Sequence, residues 1–295
     1  MKKTLLYSIF FSAIALSNFG CVERTEVQFP FTPEAACQEV VILDSQAEVD
    51  QFNQAEIKGD LILSGNDITD LSGLSELASI CGDFEINFCH GLTSLAGLNT
   101  NLSVGGHFFV IGNTNLIDFR SFPTNFHVDG RMKVQSNSRL TSLTGISSEL
   151  FLQKLELIDN SNLQNLAGIP DHVDEFYLDN CPSLKSLTGL TPGFETIEFR
   201  IIQCESLQNL QGFPIGLQSL MVLELKNNES LEDLSGLTNL RLVRRELTIE
   251  DNPNLSICCT LRQFIDSFGI IPFKTSIRNN HPDCTPAAII ENAPC

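Results

Sequence analysis

Basic residues are scarce in this chain. Only 18 Lys and Arg stand against 36 Asp and Glu, a formal net charge of -18. So acidic a surface repels phosphate backbones and anionic head groups, so nucleic-acid binding is not expected. Long apolar runs are missing beyond the first twenty residues, which leaves no candidate for a transmembrane helix. No CxxC pair occurs, and His90, His107, His127, His172 and His281 show no ligand spacing, so neither metal nor cofactor is expected. GxSxG, HExxH, P-loop and GxGxxG motifs are all absent, and Gly105-Gly106 lies in a turn with no phosphate-binding helix after it. The adjacent carboxylates Glu232 and Asp233 read as solvated charges, so no catalytic residue is assigned. Long polar and proline-rich tracts are also missing. With 42% hydrophobic residues the chain has enough apolar surface for a continuous core.

What is present is a repeat. Eight segments share one pattern, among them Leu92 to Leu98 (LTSLAGL), Leu140 to Ile146 (LTSLTGI), Leu184 to Leu190 (LKSLTGL) and Leu231 to Leu237 (LEDLSGL). One position precedes each segment: Asn66, Cys89, Asn113, Asn137, Asn160, Cys181, Cys204 and Asn228, with Asn252 opening an incomplete ninth copy. The spacing of 21 to 24 residues falls in the leucine-rich range, where Asn or Cys is required at that place. A buried Asn amide there bridges main-chain groups of neighbouring coils that cannot pair within their own rung. Cys is a small, buriable substitute with a weak S–H donor.

Five and three places before each ladder residue come apolar pairs, from Leu61/Leu63 and Phe84/Ile86 to Leu247/Ile249. Such alternation predicts a strand with one buried face. Nine rungs at roughly 4.8 Å give a parallel sheet about 40 Å long. The recurrent Gly inside each segment permits a bend, with Ser121 in its place in the third copy. No helix of useful length separates the strands. The predicted fold is therefore mostly β: a single leucine-rich solenoid, closer to a right-handed β-helix than to a helix-backed horseshoe.

The run N-x-x-L-x-x-L-x-G-L, followed by an apolar strand after about eleven residues, resembles the receptor L-domain family over roughly residues 37 to 295. That resemblance implies a module that presents a face to a protein or glycan. Signalling is not implied, because the chain lacks the cysteine-rich module, membrane span and kinase of the receptors.

Residues 1–20 have the parts of an export signal: Lys2 and Lys3, an apolar stretch from Leu5 to Leu16, and Gly20 before Cys21. Gly-Cys resembles a bacterial lipobox, although Asn18 and Phe19 depart from its usual residues. The resemblance implies acylation of Cys21, anchoring at an envelope membrane and an outward-facing chain. The alternative is secretion. Residues 21–36 then form the lipidated Cys and a tether, 37–257 the solenoid with its N-terminal cap, and 258–295 a cysteine-rich C-terminal cap. Export favours disulfides. Cys37 is a candidate to staple the first end to Cys81 or Cys89, and a bridge between Cys181 and Cys204 is sterically allowed. Cys258, Cys259, Cys284 and Cys295 tie down the last end beside a short amphipathic helix carrying Leu261, Phe264, Ile265 and Phe268. Their connectivity is open.

The solvent face of the stacked strands is the candidate ligand surface. Residues between and just after the apolar pairs point outward, and Phe109, Ile111, Ile158, Tyr177 and Ile202 make the middle rungs apolar, with Lys133 and Arg200 as cationic points. The competing explanation is that β-branched and aromatic residues simply favour strands.

Overall fold

The computed structural model describes residues 37–265 and 274–291. Residues 1–36, where an export signal, an acylated Cys21 and a tether are expected, lie outside the described residues, as do Phe268 and Cys295. Alternating apolar residues produce short strands, each turning one row of side chains inward. In chain order they are β1 (Glu39–Leu43), β2 (Glu56–Ile57), β3 (Gly59–Leu63), β4 (Ser79–Ile80), β5 (Phe84–Asn87), β6 (Ser103–Val104), β7 (Phe108–Ile111) and β8 (His127–Val128). There follow β9 (Arg131–Gln135), β10 (Phe151–Ile158), β11 (His172–Asp179), β12 (Glu198–Ile202), β13 (Ser219–Lys226), β14 (Leu242–Glu250) and β15 (Lys274–Arg278). Eleven of these form one long sheet, in the order β1-β3-β5-β7-β9-β10-β11-β12-β13-β14-β15. Strands β2, β4, β6 and β8 form a second, and the pairing is parallel throughout. The molecule is thus the expected mostly β solenoid of stacked rungs. At about 4.8 Å per strand the long sheet extends about 48 Å.

The core is a column of stacked side chains. Phe84, Phe108, Met132, Leu155, Phe176, Phe199, Leu223 and Leu247 follow one another in register and are all fully buried. The rings of Phe84 and Phe108 lie 5.3 Å apart, as do those of Phe176 and Phe199. Each such side chain contributes roughly 1.5–3 kcal/mol by leaving water. The leucines of the repeated segment close the opposite side, Leu92, Leu95, Leu140 and Leu143 among them.

The asparagine ladder is continuous over most of the solenoid. Oδ1 of Asn113, Asn137 and Asn160 accepts from the main-chain N–H of Cys89, Asn113 and Asn137, at 2.9, 2.9 and 3.1 Å. Each Nδ2 donates to a carbonyl of the preceding strand, as Asn113 does to Ile86 O at 2.8 Å. Asn228 and Asn252 repeat the arrangement near the far end. The residue before each of these places is left-handed, with φ of 51–57° from Phe88 through Asn279 and 69° at Gly112, which turns the chain out of the strand. Cys89, Cys181 and Cys204 occupy the same places as buried free thiols. The thiol of Cys204 faces that of Cys181 with no disulfide between them, so the sterically allowed bridge is not formed.

One expectation changes and two are extended. Asn66 is exposed and Gly65 holds the ladder place, its carbonyl accepting from Ile68 N as the later ladder residues accept from theirs. The first turn is one residue shorter than the others, and a Cβ at Gly65 would lie 2.2 Å from Asp44 O. The nine expected rungs are present, and among the described residues two further strands lengthen the sheet to eleven, β1 at one end and β15 at the other. Asn280 is a further ladder residue, accepting from Asn252 N at 3.1 Å and donating to Ile249 O at 2.8 Å. The long excursion between β14 and β15 hides this rung from the repeat period.

Both ends are stapled. Cys37 bonds to Cys81, and Cys258 to Cys284; Cys259 is disulfide-bonded as well. Over the last rung a 3-10 turn (Cys259–Leu261) leads into a single helical turn (Arg262–Ile265), the first burying Leu261 and the second Phe264. No helix among the described residues is long and apolar enough to cross a membrane.

Candidate functional site: the outer face of the long sheet

Register brings all seven candidate residues to one face. Phe109, Lys133, Glu156, Tyr177, Arg200 and Glu224 are consecutive neighbours in one column. Ile111, Gln135, Ile158, Asp179, Ile202 and Lys226 make the next. A third column, ahead of the first, holds Arg131, Lys154, Glu175 and Glu198. Sequence reasoning overlooked this column because its charged side chains carry no apolar signature.

The apolar candidates are half-buried and alternate with polar neighbours, so they form no continuous greasy patch. Arg131 lies over the Phe109 ring at 5.3 Å and Lys154 over Tyr177 at 5.9 Å. Arg200 is not a free cation: its guanidinium meets Glu198 at 2.6 Å and Glu224 at 3.4 Å, while Arg245 holds the other Glu198 oxygen. Lys154 bridges Glu156 and Glu175 at 3.2 and 3.6 Å. Lys133 makes no ion pair among the described residues. Tyr177 Oη donates to Asp179 Oδ2 at 2.9 Å. Burial raises the Tyr177 phenol well above its usual range, and Asp179 adds to the shift, so it remains a neutral donor.

Among the described residues, four buried side-chain atoms have no hydrogen-bond partner: Asn87 Oδ1, Arg131 Nε, Glu156 Oε2 and Asp179 Oδ1. All four belong to this face and span β5 to β11. An unsatisfied buried polar atom costs about 1–3 kcal/mol, so this face carries a concentration of unmet hydrogen bonding.

The ladder candidates are structural. The Cys89 thiol is pushed up, chiefly by burial, and the Cys204 thiol likewise, so neither is a reactive thiolate. Glu232 is exposed, and Asp233 accepts from Ser235 N at 2.6 Å as a turn residue. Among the described residues no group of three or more His, Cys, Asp or Glu is placed to hold a metal ion. No protein-family model, curated protein or solved structure matches the chain.

Proposed function

We propose that the chain is a cell-surface lipoprotein, acylated at Cys21, which binds a protein or glycan through the outer face of its long sheet. The observation that carries this reading is the gathering, among Phe109, Lys133, Ile158 and Tyr177, of four buried polar atoms that make no hydrogen bond, of which Glu156 Oε2 has only Arg131 Nη1 at 3.6 Å. Donors, acceptors and apolar edges alternate there on a rigid lattice, which suits a polar, extended ligand. The resemblance of the repeat to receptor L domains supports it, as does the export signal. The acidic surface keeps such a module soluble outside the cell.

The test is saturable binding of the purified protein to arrayed glycans and envelope proteins. Phe109→Ala with Tyr177→Ala abolishes binding and leaves the thermal midpoint nearly unchanged. Equal loss of binding and stability sinks the reading, and no saturable binding by the wild type favours a passive structural envelope protein. Mass spectrometry at residue 21 separates the two locations: a diacyl or triacyl adduct means anchoring, and an unmodified residue means secretion.

A further inference from the structure

The main-chain hydrogen bonds that tie successive rungs together are interrupted on the side of the solenoid after β8 and again ahead of β13, and the wider opening is at the second place. Ahead of β11, Asp171 N bonds to Ser148 O at 3.0 Å. Between β11 and the next rung, Glu195 N bonds to Asp171 O at 2.7 Å and Val173 N to Glu195 O at 3.1 Å. One interval later, Arg241 N bonds to Gln218 O at 2.8 Å. Between these, Glu195 and Thr196 make no main-chain bond to Gly216–Leu220 among the described residues, and pairing resumes only at Met221 N to Ile197 O, 2.8 Å. A cleft of about 500 Å³ opens there, within the size range of ligand sites.

Its lining is of two kinds. Phe151 and Ile197 are 51% and 47% exposed, and Met221, next to Ile197 across the rungs, is 36% exposed. Two exposed large apolar side chains thus line the cleft, and Met221, whose N–H bonds to Ile197 O, extends them, a pattern that marks partner sites. Asp174 and Glu195 supply negative charge, Glu195 having only His172 near it at 3.5 Å and Asp174 no ion pair among the described residues.

We propose that this cleft is a second binding site, distinct from the outer sheet face, for an extended peptide that carries lysine or arginine between apolar side chains. The peptide main chain bridges the interrupted rungs as an added strand does at an open sheet edge. Its apolar side chains cover Phe151, Ile197 and Met221, and its cations face Asp174 and Glu195. Charge selects the ligand, because an acidic peptide meets these carboxylates and the net charge of -18.

Fluorescence anisotropy of the full chain with a labelled eight-residue peptide of alternating valine and lysine tests this. The isotherm saturates and weakens with salt, and the valine–glutamate peptide does not bind. Ile197→Ser, and separately Asp174→Asn with Glu195→Gln, each weaken binding about tenfold at an unchanged thermal midpoint, while Phe109→Ala with Tyr177→Ala has no effect on it. Absence of binding, or equal binding by wild type and both cleft variants, overturns the proposal. Dimerisation that Ile197→Ser abolishes, with no peptide binding, also overturns it and gives the cleft to a second copy of the chain.

Discussion

The first four rungs and the later ones turn the same corner by different means. Ahead of the long sheet the early rungs place Gly59, Gly82, Gly106 and Gly130, and the register assigns Gln153, Asp174, Ile197, Met221 and Arg245 to the same column later. A Cβ at Gly106 would lie 2.2 Å from Asp83 Oδ1 and 2.6 Å from Gly82 C, so the early corner is closed against its neighbour. There the residue after the glycine reaches across. Asp60 Oδ1 accepts from Asp83 N at 2.8 Å, Asp83 Oδ1 from His107 N at 2.7 Å, and His107 Nδ1 from Arg131 N at 3.1 Å. A side-chain ladder thus runs down one corner while the asparagine ladder runs down another. In the later rungs β10, β11, β13 and β14 pass the corner as continuous strands of eight or nine residues, and the corner side chains project outward. The lesson is that a tight corner bonds rung to rung, whereas an open one leaves side chains free for a surface; the cleft lies on the open kind.

Three measurements sharpen that contrast. Gly106→Val forces side chain into backbone and lowers stability by about 3 kcal/mol, whereas Ile197→Gly, at the open corner, costs about 1 kcal/mol or less; urea midpoints compare them. Equal losses would mean that both corners are packed alike. Next in size, Asp83→Ala strands the His107 N–H and costs about 1–2 kcal/mol, while Glu175→Ala in the same column loses only an exposed pair with Lys154 and costs under about 0.5 kcal/mol. The smallest effect concerns acid. Arg278 and Ser276 hold the Glu250 carboxyl down to about 2, and Lys274 lowers Glu246, so both clamp β15 onto β14. Carboxyls that titrate lower folded than unfolded stabilise fully above the ordinary value of 4.5, and that contribution is lost as pH falls toward about 2. Hydrogen exchange should therefore show β15 amides losing protection first across that window, on the order of tenfold more than those of β3. Uniform loss along the solenoid would remove the distinction.

The strands were legible because burial imposes period two on residues such as Phe84, Ile86, Phe108 and Val110, and the ladder because Asn or Cys recurs at every buried turn after the first. Asn66 misled because the first turn is a residue short, so counting from the strand and counting from Ile68 give different answers. β15 was hidden by the excursion before it. Asp60, Asp83 and His107 are ordinary polar residues in sequence, and their role exists only once the rungs are stacked. Strand register does bring the seven residues of the outer face together, but their pairing was not legible. Arg200 reads as a free cation until Glu198 and Glu224 come beside it.

By itself the sequence determined the repeat, the parallel sheet, which face of each strand is buried, and the residues that share the outer face. These follow from local periodicity, which repeats in every rung and needs no knowledge of the neighbours. Tertiary structure alone decided the ion pairing of that face, the corner ladder, the stapling partners of the caps and the places where the rungs part. Each of these depends on which residue of one rung comes to rest against which residue of the next, a relation between positions some 24 residues apart that a one-residue change in turn length resets.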